Sequence, residues 1–257
     1  MLKIATPISH LFDNNDYTKI IVDSSDCLEC RDRSIDSLEN NQELFHCELQ
    51  PIHKWNDKEL KYLQKIKDLK KDLQLITFHM ASSCDEPIIK NNIFELGGKD
   101  YSKDELLENS KENILKIKRI FGSDIKIAIE NNNYYPTEAY KYITEASFIY
   151  KIVNDNNINF LFDIAHAKVT CYNQNINFEK YKEQLPLDKM IQIHICSYDI
   201  DKNKKMAFDA HNYPDDDELF ELKRLISNYK DVKYLTVEYY RDIENLKKSL
   251  KKVRKLI

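Results

Sequence analysis

The sequence predicts a (β/α)8 barrel, in which eight parallel strands, each followed by a helix, close into a ring. Short apolar runs alternate with amphipathic segments along the chain, as expected for a parallel sheet covered by helices. The length of 257 residues suits one such domain, so we expect a single metal-dependent catalytic domain over residues 1–257. An open, doubly wound sheet is the alternative architecture.

Eight runs are predicted strands because each is short and mostly apolar, as in strands that are buried on both faces. The least regular part is the beginning, where two of the runs are short and the first two connections lack a clear helical pattern. The predicted strands are Leu2–Thr6, Lys19–Asp23, Glu43–Cys47, Leu75–His79, Ile125–Glu130, Phe160–Asp163, Met190–Ile195 and Tyr234–Glu238.

The predicted helices lie between the later strands. Asp57–Asp72 carries leucine or isoleucine at three-residue steps, the spacing of one helical face. Ser102 and Glu105 form a capping-box pattern before a helix at Leu106–Phe121. The remaining predicted helices are Thr137–Val153, Asp215–Tyr229 and Asp242–Leu256.

Composition excludes several classes of function. The 39 basic and 43 acidic residues are interspersed and leave a net charge of −4, which argues against a nucleic-acid partner. With only 3 glycines, a glycine-rich phosphate loop is absent. No apolar run approaches the ~18 residues of a membrane span. The 6 scattered cysteines and the absence of a signal-peptide pattern predict reduced thiols and a cytoplasmic protein.

Histidines and carboxylates stand where the predicted strands end. In a (β/α)8 barrel the carboxyl ends of the strands meet at one rim, and that rim holds the active site. Six strands in succession end in such a residue, one more follows the end of the sixth strand, and the loop after the seventh strand adds two. The candidate metal ligands are His46, His79, Glu130, Asp163, His166, His194, Asp209, His211 and Glu238.

Nine nitrogen and oxygen ligands are more than one ion takes, so we expect two or three metal ions that share carboxylates. Such ligands suit iron, manganese or zinc. Cys47 and Cys196 follow candidate ligands by one or two residues and are predicted to point away from the cavity or lie just past it. Cys27-Leu-Glu-Cys30 is interpreted as a loop with two free thiols, and His10 and His53 as residues of surface loops.

The ligand order resembles that of metal-dependent xylose-isomerase-like barrels, which include trinuclear-zinc apurinic endonucleases. Residues 127–240 most resemble the multinuclear non-haem iron-dependent oxidative enzymes, with the methanobactin-forming enzyme as representative, which modify cysteines in ribosomally made precursor peptides. The segments that carry this resemblance are Glu130-Asn131, Tyr134-Tyr135, Thr144–Phe148, Leu161–Asp163, Thr170–Asn173, Tyr181, Leu185-Pro186, Ile191–His194, Asp209–His211 and Val237-Glu238.

This resemblance implies an oxidoreductase of natural-product biosynthesis, with two or three iron ions as cofactors and O2 as co-substrate. Zinc or manganese are the alternative metals. The implied substrate is a precursor peptide bearing a cysteine. A small leader-peptide-binding partner protein acting in trans is also implied, because the chain has no spare ~80 residues for such a domain. Asn131, Tyr134 and Asn173 are weaker candidates for substrate contacts.

Two departures from the family pattern concern the site. His166 stands where the family has asparagine, and Cys196-Ser197-Tyr198 replaces the Gly-His that follows the histidine of the seventh strand. We predict that a helical turn brings Asp163 and His166 to the rim together and that His166 is a ligand. The alternative functions are an apurinic-endonuclease-type phosphodiesterase and a divalent-metal sugar isomerase or epimerase on the same barrel.

Overall fold

Eight parallel strands form a closed barrel in the computed structural model, which describes residues 1–257. The ring closes where the first strand pairs with the last, since Ala5 pairs with Thr236. The barrel strands are β1 (Lys3–Pro7), β2 (Cys27–Arg31), β3 (Leu44–Cys47), β4 (Leu75–Phe78), β7 (Lys126–Glu130), β8 (Asn159–Asp163), β9 (Met190–Ile195) and β12 (Tyr234–Val237). The predicted barrel architecture is therefore confirmed.

Helices surround the barrel, and two short hairpins interrupt the alternation. The hairpins are β5 (Ile88–Lys90) with β6 (Ile93–Glu95), after β4, and β10 (Ser197–Asp201) with β11 (Met206–Asn212), after β9. The sequence patterns had indicated neither. The helices are α1 (Asn15–Ser24), α2 (Asp57–Leu69), α3 (Lys103–Phe121), α4 (Ala146–Asp155), α5 (Ile164–Gln174), α6 (Phe178–Lys182), α7 (Asp216–Asn228) and α8 (Ile243–Arg254).

The predicted second strand is wrong. Lys19–Asp23 lies within α1, where the Asn14 side chain accepts hydrogen bonds from the backbone of Asp16 and Tyr17 and so caps the helix. Of its three consecutive apolar residues, which point in different directions around a helix, Ile21 is buried and the other two are half-buried. The true second strand is β2, which contains the Cys-x-x-Cys pair that had been interpreted as a loop.

Other predictions for the helices and for isolated residues need smaller corrections. In the segment Thr137–Val153 only α4 is an α-helix, and Glu138–Tyr140 forms a single 3-10 turn. His53 is buried, not at the surface, and its Nε2 lies 2.9 Å from the carbonyl oxygen of Ser82. All six cysteines are free thiols, as predicted. The protein has no helix that is long and apolar enough to cross a membrane.

The barrel interior changes from apolar to polar along the strands. One residue from each barrel strand contributes to a buried apolar layer: Ala5, Cys27, Leu44, Leu75, Ala128, Leu161, Ile191 and Tyr234. Because side chains alternate along a strand, the residues two positions further also face inward. On β2, β3, β7 and β8 these are Glu29, His46, Glu130 and Asp163. The carboxyl half of the barrel is therefore lined by ionisable groups.

Candidate metal centre

Glu130, at the end of β7, lies in the middle of the polar rim. Its Oε2 is 3.4 Å from His46 Nε2 and 3.5 Å from His79 Nδ1. Its Oε1 is 3.3 Å from His194 Nδ1 and 3.7 Å from His166 Nδ1. The carboxylate is 1% exposed, yet neither oxygen has a hydrogen-bond partner. A buried, unpaired carboxylate is costly unless a cation neutralises it.

A second group of ligand atoms lies between β8, α5 and β11. His166 Nε2 is 3.9 Å from Asp163 Oδ2 and 3.5 Å from Asp209 Oδ2. Asp209 Oδ2 is in turn 3.1 Å from His211 Nε2. Oδ2 of Asp163 is buried without a hydrogen-bond partner, so this group also presents acceptor atoms that no protein donor satisfies.

Glu238 joins the two sides of the rim. Its Oε1 is 3.3 Å from His194 Nδ1, and its Oε2 is 3.7 Å from His211 Nε2. The guanidinium of Arg31 also contacts Oε1 of Glu238 and donates to Glu29 Oε1 at 2.9 Å. The six strand-end candidates and the three that follow them thus all converge on one rim of the barrel.

Three histidines each place one ring nitrogen against a hydrogen-bonding oxygen and the other toward the carboxylates. His46 Nδ1 is 2.6 Å from the hydroxyl of Thr77, and His166 Nδ1 is 2.9 Å from the carbonyl oxygen of Asn131. His194 Nε2 lies 3.0 Å from Oε2 of Glu29. In the neutral ring, a nitrogen that donates its hydrogen to such an oxygen leaves the lone pair on the other nitrogen, as in histidines that bind metals.

A helix start and a bulge position the ligands that lie outside the strands. Asp163 is the N-cap of α5 and accepts a hydrogen bond from the backbone of His166, which confirms the predicted helical turn. In the second hairpin the pairing of β10 with β11 shifts opposite Asp209 and His211. His211 has a φ of 44°, in the left-handed region. Such a bulge redirects side chains and here brings both residues to the rim.

The pKa values reflect the crowding of acids and imidazoles. Burial raises the pKa of Asp163 to about 6, although His166 lies nearby and opposes the shift. Burial and the adjacent His46 lower the pKa of His79 to about 3. For His194 burial acts downward, but Glu29 and Glu130 outweigh it and raise the pKa to about 9. Carboxylates therefore dominate the surroundings of His194, whereas burial has the largest effect at Asp163 and His79.

These residues fit a centre of several divalent metal ions. Four groups of three side chains have one ligand atom each within 4.8 Å of one another. Glu130 belongs to two of the groups and Glu238 to two others, as expected if carboxylates are shared between ions. The buried atoms without hydrogen-bond partners include both Glu130 oxygens, Asp163 Oδ2 and His194 Nδ1, and no protein donor explains them.

A cavity of about 520 Å³ opens onto this centre. The hairpins form its walls, with Phe94 from β6 and Met206 and Phe208 from β11. The predicted substrate contacts Asn131, Tyr134 and Asn173 are not among its lining residues.

Hydrogen bonds to the backbone explain why Asn131 and Asn173 do not line the cavity. The Asn131 amide exchanges two hydrogen bonds with the backbone of Asp163, each 2.9 Å. Asn173 bridges the carbonyl oxygens of Tyr134 and Ala207. They hold loops in place, whereas their neighbours Asn132, Asn133 and Tyr135 line the cavity.

A family model described as "RiPP precursor modification enzyme MbnB/TglH/ChrH" matches residues 51–257. The chain belongs to this family. RiPPs are ribosomally synthesised and post-translationally modified peptides, and the description of the family names enzymes that modify their precursors. The match contains all the candidate ligands except His46, and it confirms the resemblance that the sequence carries between residues 127 and 240.

Similarity to individual proteins is lower. A UPF0276 protein of Paraburkholderia phytofirmans is 25% identical over 171 residues, which is 65% of this chain and 54% of that protein. The chain thus spans about half the length of this relative. A D-allulose 3-epimerase from Methylomonas sp. superimposes with a TM-score of 0.62 at 12% identity, covering 100% of this chain and 98% of the other.

A D-psicose 3-epimerase gives a TM-score of 0.60 at 11% identity, covering 99% of this chain and 96% of the other. At such identities the similarity establishes the fold alone. These neighbours are xylose-isomerase-like TIM barrels, which confirms the predicted fold class.

Two residues of the centre were missed by the sequence analysis. Glu29 and Arg31 face the interior from β2, which had been interpreted as a loop. The alternation Cys27, Glu29, Arg31 was the signal that could have found them. Cys196 lies just past the end of β9, as the second branch of the prediction allows, and its Sγ is 3.6 Å from Asp209 Oδ1. Cys47, one residue after His46, contacts Asp32 instead.

Replacing His166 with asparagine tests its predicted role as a ligand. An amide oxygen is a weaker ligand than imidazole nitrogen, so we expect one metal equivalent to become removable by a chelator that leaves the wild type loaded. Metal content during chelation is the measurement. His53→Asn serves as the control, because His53 is a buried histidine outside the centre. Unchanged chelation kinetics in His166→Asn would exclude a ligand role.

Proposed function

We propose that the protein is a multinuclear iron-dependent oxidase that uses O2 to modify a cysteine of a ribosomally synthesised precursor peptide. Membership of the precursor-modifying family supports the peptide substrate. The observation that carries the metal part is the set of buried ligand atoms without hydrogen-bond partners around Glu130. Imidazoles and carboxylates form the ligand set of non-haem iron oxygenases.

The ligands divide into overlapping groups. His46, His79 and Glu130 would hold one ion, and Glu130 would share a second ion with Asp163 and His166. Glu238 with His211, on the opposite side of the rim, offers a third position. When bound, ferrous ions with open positions supply redox chemistry with dioxygen and bind a substrate thiolate.

The chain's own residues orient these ligands and shape the substrate cavity. Thr77, Glu29 and the backbone of Asn131 orient the three histidine rings. Aromatic side chains of Phe94, Tyr140 and Phe208 line the cavity and limit access of water to the rim. Positioning of the substrate cysteine against the centre by these walls lowers the barrier to its oxidation.

A partner protein and the compartment are part of the same proposal. A cavity of about 520 Å³ has the size of a small-molecule pocket and accepts a short segment around the modified cysteine. The leader of the precursor must then be recognised elsewhere, and we propose a small leader-binding protein acting in trans. The six free thiols fit the reducing cytoplasm.

The experiment uses protein purified without oxygen and loaded with Fe(II). Metal analysis and Mössbauer spectroscopy should find two or three iron ions per chain. Oxygen consumption should require a short cysteine-bearing peptide encoded beside the gene, and the peptide's Cys→Ser variant is the matched control. We expect a mass change only in the cysteine peptide.

Two other activities of the same fold would contradict the proposal. An endonuclease-type hydrolase would nick abasic DNA without oxygen, and a sugar epimerase would convert ketoses without oxygen or peptide. Either reaction at enzymatic rates, with no peptide-dependent oxygen uptake, would overturn the oxidase. The net charge of −4 argues further against a phosphodiester backbone as substrate, because affinity for it depends on basic residues.

A further inference from the structure

Cys196 is a buried thiol among charged groups. Gln192 and His194 lie two residues apart on β9 and face the same side, and Cys196 follows directly after the end of that strand. The side chain of Cys196 is fully buried, and its Sγ is 3.6 Å from Oδ1 of Asp209. Buried free cysteines usually act as small apolar residues, but the neighbours of this one include candidate metal ligands.

The surroundings of Cys196 have the spacing of a metal site. Sγ of Cys196 and one ligand atom each of His211 and Glu238 lie within 4.8 Å of one another. A second observation, which does not involve the cysteine, concerns Glu238, the carboxylate of this group. Nδ1 of His194 is fully buried, has no hydrogen-bond partner, and lies 3.3 Å from Oε1 of Glu238.

We propose that Cys196 is a thiolate ligand of the metal ion held by His211 and Glu238. This inference rests on the proposed metal centre but not on its reaction. On binding, the thiol loses its proton to solvent and the sulfur forms a bond to the ion, since a coordinating thiol is deprotonated. No oxidant or reductant takes part in this step.

A sulfur ligand makes the two sides of the centre chemically different. The side built from His46, His79, Glu130 and Asp163 offers nitrogen and oxygen alone. The side of Cys196 adds a soft ligand, which favours ions such as zinc and Fe(II) over manganese. Cys196 therefore makes one metal position chemically different from the others, although it is not among the nitrogen and oxygen ligands predicted from the sequence.

X-ray absorption spectroscopy of the full chain tests the assignment. Protein is loaded with Zn(II), in thiol-free buffer, until its metal content no longer rises. Zinc–sulfur bonds are about 2.3 Å long and zinc–nitrogen bonds about 2.0–2.1 Å, so the two shells are separable. We expect a sulfur shell in the wild type that disappears in Cys196→Ser. Cys171→Ser, which changes a buried cysteine of α5, should retain it.

Each result decides the proposal. A wild-type spectrum with nitrogen and oxygen ligands but no sulfur overturns the thiolate ligand and leaves the iron oxidase untouched. A sulfur shell that persists in Cys196→Ser also overturns it. Lack of any metal uptake would instead contradict the proposed function. If Cys196→Ser does not fold, wild-type protein loaded with Co(II) still decides, because thiolate ligation produces a sulfur-to-cobalt charge-transfer absorption and its absence refutes the assignment.

Discussion

Glutamine in place of Glu130 should empty most of the metal centre and abolish peptide-dependent oxygen uptake. Glu130 lies within 3.7 Å of four histidines and belongs to two of the candidate ligand groups. Residues that merely orient metal ligands contribute about 10–100-fold to affinity. Loss of a carboxylate shared by two ions should therefore cost more than about 100-fold at both positions.

Metal content after gel filtration and oxygen uptake are the measurements for Glu130→Gln. The matched control is Glu221→Gln, since Glu221 is also a buried glutamate but pairs with Lys182 at 2.6 Å, outside the centre. That change should lower stability without changing metal content. Full metal occupancy in Glu130→Gln would mean that the unpaired oxygens of Glu130 serve another purpose.

The sequence predicted the barrel and seven of its eight strands, and the candidate ligands follow from the ends of those strands. Continuous apolar runs such as Phe160–Phe162 identified strands because both faces are buried, and the barrel topology then placed their last residues together. For Glu130, Asp163, His194 and Glu238 this argument needed only the end of each strand. An error of one residue in where a predicted strand begins does not change the residue at which it ends.

β2 could not be found in the same way because its interior face is polar. Its inward residues include Glu29 and Arg31, so the segment does not show the apolar character expected of a buried parallel strand. The nearby run Ile20–Val22 is more apolar than this segment, but it belongs to an amphipathic helix. Hydrophobic pattern fails where the barrel interior serves the site instead of the core.

The second hairpin depends on tertiary contacts that local sequence does not reveal. Asn173 of α5 bonds to both backbone groups of Ala207 at the start of β11. His211 adopts a left-handed conformation that non-glycine residues seldom take. Spacing alone placed Asp209 and His211 in a loop, and the bulge that turns them toward the cavity follows from packing against α5.

Glu29 illustrates how an unpredicted residue can carry much of the stability of the site. The side chain is fully buried. Its Oε2 lies 2.7 Å from Gln192 Nε2, 3.0 Å from the Thr236 hydroxyl and 3.0 Å from His194 Nε2. Its Oε1 accepts from Arg31 at 2.9 Å. Removal of Glu29 would leave Nε2 of His194 without this carboxylate acceptor and Arg31 with Glu238 as its remaining carboxylate.

Glu29→Ala should accordingly lower the free energy of unfolding by about 3–5 kcal/mol, the cost of breaking a buried ion pair. Burial raises the pKa of Glu29, but His194 and Arg31 outweigh this and leave it below the usual range. A carboxyl with a lowered folded pKa stabilises above its unfolded pKa of about 4.3 and loses that contribution as the pH falls. Urea unfolding of metal-free protein should therefore show a difference from wild type that is full at pH 7 and shrinks below about pH 4.

The control is Glu43→Ala, which removes a half-buried partner of Lys3 and should cost no more than about 1 kcal/mol. An equal loss of stability in both variants would refute the prediction that Glu29 contributes more than a surface carboxylate.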